Sequence, residues 1–320
     1  MSEPLSLYVH VPFCSSRCGY CDFNTYTASE LGDGVDRASF HTHLASEIAM
    51  AARTLAPSYQ VDTVFFGGGT PTLIGASALC DLLARIRDEF DVAANVEVTT
   101  EANPDSVDPQ MLEELVTGGF TRISIGMQSV APHVLATLER THTPGASSTV
   151  AIAARAAGFN HVNLDLIYGT PTESNDDVHR SLDEVLDAGV DHVSAYSLIV
   201  EDGTALARRV ARGEIAEPDD DVGAERYELI DDRLSHSGLR WYEVSNWSTP
   251  GSECRHNLAY WRNRDWWGVG PGAHSHQAGR RWWNVKHPRT YAARVSAGMS
   301  PAEGHEETTS EQQRLERPLK

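Results

Sequence analysis

Six short apolar runs rich in β-branched residues alternate with helical stretches over the first 240 residues, and this alternation leaves few folds open. The strand-like runs are 5–11, 61–66, 96–100, 122–126, 161–167 and 192–198. Helical patterns fill 40–53, 76–90, 109–118, 145–157 and 176–188, and 219–238 reads as one more amphipathic helix. Gly119, Gly158 and Gly189 each stand just before a strand, where a left-handed helix C-cap belongs. Six β-then-α units imply parallel strands joined by right-handed crossovers. They are too few for a closed eight-stranded barrel, so an open, partial (β/α)6 barrel of α/β class is expected. Ligands of such sheets bind at the C-terminal ends of the strands.

Composition changes near residue 240. All seven tryptophans lie between Trp241 and Trp283. The expected division is a barrel over 1–238, a small Trp-rich C-terminal appendage over 239–300, and an acidic tail over 301–320 carrying Glu303, Glu306, Glu307, Glu311 and Glu316. The tail reads as a solvated helix start or a disordered end. A formal charge of −19 repels nucleic-acid phosphates and anionic lipid, so nucleic acid is not an expected partner. No apolar run is long enough to span a membrane, and Met1–Pro4 begins no export signal, so a cytoplasmic protein is expected.

Three of the five cysteines fall within eight residues, in Cys14-Ser-Ser-Arg-Cys18-Gly-Tyr-Cys21, directly after the first strand. An odd, clustered set in a reducing compartment argues for a metal rather than for disulfides. Three thiolates suit a soft metal. They can hold a [4Fe–4S] cluster with one iron left open; the alternative is zinc with a distant fourth ligand, His10 or Cys254. Cys80 reads as a helix core residue.

Polar residues chosen on chemical grounds all stand late in strands or after them. Gly67-Gly68-Gly69-Thr70-Pro71 follows the second strand, and its backbone can approach a polar ligand closely. Glu101 follows the third strand and Gln128 the fourth. Asp165 lies late in the fifth, where burial demands a partner, and Arg140 is the expected one.

The cysteine spacing, with aromatic Tyr20 before the last thiol, resembles the signature of radical S-adenosylmethionine (SAM) proteins. The resemblance implies a partial barrel, a [4Fe–4S] cluster on Cys14, Cys18 and Cys21, and SAM chelated to the open iron. An electron donor is also implied wherever the sulfonium is cleaved to a 5′-deoxyadenosyl radical.

Further segments resemble the oxygen-independent coproporphyrinogen III oxidase group: Tyr8-Val-His10-Val-Pro-Phe-Cys14, the 67–71 loop, Ser124-Ile-Gly-Met-Gln-Ser129 and Asn163-Leu-Asp-Leu-Ile167. On those motifs, Tyr8, Gly68 and Glu101 match contacts to a first SAM. Tyr20, Gly69, Thr70, Gln128, Arg140 and Asp165 match contacts to a second.

Two departures point away from the oxidase. Phe23 stands where its motif has a further cysteine, and only seven residues precede Tyr8. Both departures, and His256-Asn257-Leu-Ala-Tyr260-Trp261, resemble the sister family of heme chaperones. That resemblance implies heme as ligand, with an imidazole on iron and flat aromatic faces on the porphyrin, and a client protein as heme acceptor. It makes coproporphyrinogen dehydrogenation the rival activity. Family members continue past such an acidic helix, so 301–320 is expected to open a missing or shortened C-terminal domain.

Overall fold

The computed structural model describes residues 2–31, 35–55 and 57–315. The last five residues of the expected acidic tail, Glu316 among them, lie outside the described residues.

Six parallel strands form the barrel: β1 (Glu3–Val11), β2 (Tyr59–Gly68), β3 (Val92–Ala102), β4 (Arg122–Gln128), β5 (His161–Tyr168) and β6 (His192–Ser197). Between β1 and β6 run helices α1 (Ala28–Leu31), α2 (His41–Thr54), α3 (Ala76–Glu89), α4 (Pro109–Gly118), α5 (Pro132–Thr137), α6 (Ala146–Ala157) and α7 (Asn175–Asp187). The glycine stops hold: α4 ends at Gly119 (φ 102°) and α6 at Gly158 (φ 106°), both left-handed.

The strands sort their residues by face. Leu5, Leu7, Val9, Val64, Phe66, Val98, Ile123, Ile125, Val162, Leu164 and Val193 are buried in the main hydrophobic core. The alternate positions carry Ser6, Thr63, Glu97, Thr99, Arg122, Ser124, Asn163, Asp165, His192 and Ser194. A barrel interior is ordinarily packed with branched apolar side chains. This one is lined with hydrogen-bonding groups, and a cavity runs through it.

After α8 (Ala205–Ala211) and α9 (Asp220–His236), the Trp-rich region does not form a separate body. Among the described residues it continues one twelve-stranded sheet at both edges, in the order β12-β11-β10-β9-β1-β2-β3-β4-β5-β6-β8-β7. β8 (Asn246–Ser248) adds antiparallel to β6, and β7 (Arg240–Glu243) pairs antiparallel with β8 at the outer edge. The chain then passes through α10 (Arg255–Trp261) and returns as β9 (Asp265–Val269), parallel to β1. β10 (His274–Gln277), β11 (Arg280–Asn284), α11 (Pro288–Ser296), β12 (Ala302–Glu307) and α12 (Ser310–Leu315) follow. The division expected at residue 239 therefore coincides with no break in the sheet.

The part of the acidic tail read as helix start or disorder begins as a strand. β12 pairs with β11, where Glu306 faces Arg281 at 3.8 Å and Glu307 faces Arg280 at 3.6 Å. Cross-strand charge pairs support such a ladder. The returning segment is fastened to the barrel by Glu47 of α2. Its buried carboxylate accepts from Gly270 N (2.7 Å), Asn284 Nδ2 (2.7 Å) and Tyr291 Oη (2.5 Å).

Candidate functional site

The cysteine loop lies at the C-terminal end of β1 and is held from several sides. Cys14 N donates to Tyr26 O (3.0 Å), Gly19 N to Leu138 O (3.1 Å) and Leu206 N to Gly19 O (2.7 Å). Asn24 donates to the carbonyls of Pro271 (3.0 Å) and Lys286 (2.8 Å), tying the loop to the C-terminal segment. All three thiols are free, partly exposed, and face a cavity of about 480 Å³. Burial pushes the Cys14 thiol up to about 11 and raises that of Cys21. The thiolates a metal needs are thus disfavoured without one, so metal uptake should release protons.

Among the described residues no three His, Cys, Asp or Glu side chains converge on one point, as a single zinc ion would ask. A cubane needs thiols only at separate corners, and three thiols on one pinned loop beside one cavity fit that demand.

Eight of the nine residues expected at SAM line this cavity: Tyr20, Gly68, Gly69, Thr70, Glu101, Gln128, Arg140 and Asp165. Tyr8 is set back from it. Its ring stacks on Phe65 at 6.2 Å and its hydroxyl meets His10 Nδ1 at 3.0 Å. Gly68 N donates to Glu101 Oε2 at 3.0 Å. Burial, and then the charge of Asp165, push the Glu101 carboxyl up to about 8 against that hydrogen bond.

Two expectations change in detail. Asp165 does not pair with Arg140. It accepts from Ser124 Oγ (3.1 and 3.0 Å) and Asn163 Nδ2 (2.7 Å), and burial raises its pKa. Arg140 instead donates to Cys18 Sγ (3.4 Å) and Asn103 Oδ1 (2.8 Å). Burial opposes its charge, but Cys18 and Tyr20 hold it on. Gly69 is required by the chain itself, since a Cβ there would stand 2.4 Å from the Phe13 carbonyl oxygen.

Strain and unmet polar atoms gather at the same rim. Gln128 (φ 61°) and Glu139 (φ 56°), the neighbour of Arg140, are left-handed without being glycine. Gln128 Oε1, Arg140 Nε and Thr25 Oγ1 are buried without a hydrogen-bond partner. The oxygens and amines of a polar ligand would satisfy them. Asn103, Ser124, Asn163 and His192 also belong to the cavity wall and were not singled out in the sequence. The signal that exposes them is alternation, because a parallel strand covered on both faces should read as one apolar run.

The floor of the cavity is built by the Trp-rich region, through α10. Cys254 supplies no side-chain cap to this helix. Glu97 of β3 does the work of a cap, accepting from His256 N (3.0 Å), Arg255 N (3.1 Å) and Cys254 Sγ (3.6 Å). Asn257 and Cys254 line the cavity that the thiols line at its other end.

His256 does not present itself to a porphyrin. It is 1% exposed, with Nδ1 at 2.8 Å from Thr63 Oγ1 and Nε2 at 3.0 Å from Tyr260 Oη. Thr63 donates onward to Ser6 (2.9 Å), so Nδ1 carries the proton and Nε2 accepts from Tyr260. The lone pair that would bind iron is therefore in use. Burial also drops the imidazole to about 3, keeping it neutral. Tyr260 packs edge-on against Trp266 at 4.9 Å, and Trp261 is half-buried beside Glu243. The four residues of the expected heme motif thus share α10 but form no exposed face. Cys80 sits on α3, as expected, packed at the margin of the main core.

Comparison with known proteins follows these lines. A family model described as the radical SAM superfamily matches residues 8–185. A heme chaperone HemW of Mycobacterium tuberculosis is 58% identical over 306 residues, covering 95% of this chain and 78% of that protein. The HemW of Escherichia coli is 35% identical over 293 residues, covering 90% and 75%. Among solved structures, the radical SAM coproporphyrinogen III oxidase HemN of Escherichia coli shares the fold with a TM-score of 0.84 and 23% identity, over 98% of this chain and 74% of that one. A half-open barrel, three thiols on the loop after β1 and a sequence relationship running from that loop through α10 all lead the same way, and the chain belongs to the HemW family of the radical SAM superfamily.

Proposed function

We propose that this protein binds heme and passes it to an acceptor protein. In the same reading, Cys14, Cys18 and Cys21 hold a [4Fe–4S] cluster, and Tyr20, Gly68, Gly69, Thr70, Glu101, Gln128, Arg140 and Asp165 receive SAM. The observation that carries the proposal is the 58% identity to a heme chaperone over 95% of the chain, a span that takes in both the cluster loop and α10.

Bound at a reduced cluster, SAM supplies the superfamily's one-electron cleavage of a sulfonium, for which an external electron donor is needed. The residues of this chain place the groups. Glu101 accepts hydrogen bonds at the strand ends, Arg140 steadies Cys18, and Asn24 holds the loop closed. Tyr8 supports the site through His10 and Phe65 rather than by touching the ligand.

Heme ligation by His256 requires Tyr260 to release Nε2 and the buried ring to become accessible, because Nε2 is hydrogen-bonded to Tyr260 and the residue is 1% exposed; the two changes together make the opened form. In the opened form His256 ligates iron, Asn257 is free to orient it, and Tyr260 and Trp261 cover the porphyrin. No helix among the described residues is long and apolar enough to cross a membrane, and a cytoplasmic location belongs to this proposal.

The test is a hemin titration of the reconstituted protein, followed by transfer to an apo-hemoprotein and a parallel assay for coproporphyrinogen III decarboxylation. Stoichiometric Soret absorbance that moves to the acceptor supports the chaperone. The rival reading draws on the shared fold with the oxidase. Turnover of porphyrinogen without specific heme binding would replace the proposal with it. His256→Ala should shift the Soret band; an unchanged spectrum assigns the ligand elsewhere.

A further inference from the structure

The polar groups inside the barrel mostly satisfy one another. Ser124, Asn163, Asp165 and Ser194 form one network, and His192 spans Asn163 (2.7 Å) and Tyr242 (2.7 Å). Two groups at the floor do not join in. Arg122 Nη1 and Thr99 Oγ1 are buried without a partner. Their residues are 2% and 1% exposed, and both line the cavity. They are register partners on β4 and β3, so their side chains stand next to each other on the inner face.

Arg122 has a structural duty, and it leaves this edge over. Nε faces Glu97 at 3.4 Å, and Nη2 donates to the carbonyls of Ser252 (2.6 Å) and Glu253 (3.3 Å). Those bonds tie α10 and the segment before it to β3 and β4. Glu97 is meanwhile engaged by two helix N–H groups and the Cys254 thiol. Asn257 reaches the same floor from α10.

Arg122 offers one free nitrogen rather than a two-nitrogen fork, so Nη1 can donate to one oxygen of a carboxylate while the Thr99 hydroxyl beside it donates to the other. The wall above carries Glu101 and Asp165, and burial raises both carboxyls, which lessens their repulsion of an anion beneath them. Thr99 lies two residues below Glu101 on β3, roughly 7 Å along the strand. The floor is therefore a place beneath the rim at which SAM is proposed to sit.

We infer that Arg122 Nη1, Thr99 Oγ1 and Asn257 form an inner subsite for the carboxylate of a small organic ligand. The inference does not depend on heme binding. The carboxylate has two possible sources, a separate acid or the amino-acid end of a SAM molecule, and the test separates them.

Propionate is titrated into the reconstituted protein and followed by ligand-observed NMR, with propionamide as the neutral control. SAM affinity is measured in parallel. Propionate should bind wild type at least tenfold more tightly than propionamide does. Thr99→Val keeps the shape and removes the hydroxyl, and should weaken propionate about fivefold or more; Arg122→Met should abolish it. If Arg122→Met fails to fold, Thr99→Val and the neutral control still decide. Propionate binding that persists in saturating SAM, with SAM affinity unmoved by Thr99→Val, assigns the subsite to a separate acid. Competition between the two, with weaker SAM binding in Thr99→Val, assigns it to the SAM carboxylate. Equal affinity of propionate and propionamide, or of wild type and folded Thr99→Val, means that the floor holds only water and overturns the inference.

Discussion

The two ends of the cavity are made differently. The rim comes from the loops after β1 to β5. Its polar groups are strained or unpartnered: Gln128 and Glu139 sit at positive φ, and Gln128 Oε1 and Arg140 Nε are unmet. The floor comes from a segment 130 to 193 residues away from the strand residues it bonds, and apart from one guanidinium nitrogen and one hydroxyl it is closed by its own hydrogen bonds. The rim is built to receive. The floor is built to hold, and any ligand of His256 has to compete with Tyr260 for it.

The sharpest way to break this contrast is at the rim's thiols. Changing Cys14, Cys18 or Cys21 to Ala should remove the cluster altogether, read as loss of brown absorbance and of bound iron and sulfide after anaerobic reconstitution. Cys80→Ala should retain both. A full cluster in Cys18→Ala would show that the loop is not the metal site.

Next in size is the floor. Glu97→Ala strands the Arg122 charge and the N–H groups of Arg255 and His256 in a buried place. Breaking a buried pair in this way costs about 3–5 kcal/mol. Urea unfolding should show that loss. A change below 1 kcal/mol would mean that α10 is not locked, and the contrast with the rim would disappear.

Glu101→Gln tests the rim's readiness for a ligand. The cationic groups of SAM would favour the ionised form of Glu101, and loss of that charged hydrogen bond is worth about 1.5–3 kcal/mol, or roughly ten- to a hundredfold in SAM affinity. The unfolding free energy should fall only slightly, and calorimetry with SAM separates the two effects. Comparable loss in stability and no loss in affinity would place SAM elsewhere.

The smallest effect is a pH slope. Burial raises the Glu101 carboxyl to about 8 and that of Glu47 to about 7. An unfolded glutamate titrates at about 4.3, so each of these two carboxyls binds more proton folded than unfolded up to its own pKa. Buried His10, His142 and His256, held at about 4, 4 and 3, oppose that slope below about pH 6.5, where an unfolded histidine is charged. Above about pH 6.5 and up to about 8, stability of the cofactor-free protein should therefore fall as pH rises. Glu101→Gln should flatten the upper part of the slope, and Glu47→Gln the part near neutrality. A slope of the opposite sign would mean that both carboxyls are ionised in the folded state.

Much of this was legible in the chain. The six strands were found with ends off by a few residues, because β-branched runs and glycine stops are local signals. The cluster loop was legible because ligand spacing on one loop survives in one dimension. Gly68, Gly69, Thr70, Glu101, Gln128 and Asp165 were legible as cavity-lining residues because C-terminal strand ends converge in any such sheet, whereas Tyr20 and Arg140 entered as such only by resemblance to a motif. Alternation inside the strands was equally present in the sequence: Thr63, Glu97, Thr99, Arg122, Asn163 and His192 all interrupt runs that two-sided burial should make apolar. Tertiary structure alone decided which partners they meet. Nothing local indicates that Glu97 caps a helix beginning at Arg255, or that Asp165 is satisfied by Ser124 and Asn163 while Arg140 turns to Cys18 and Asn103. Nor does composition show that the tryptophans divide between the two edges of one sheet. The sequence by itself determined the strands, the gathering of three thiols on one loop and the polar residues at the strand ends, because each depends on spacing within one segment. Whether His256 is open or closed, and which edge of Arg122 is left free, depends on hydrogen bonds between segments far apart in the chain, and only the folded molecule fixes those.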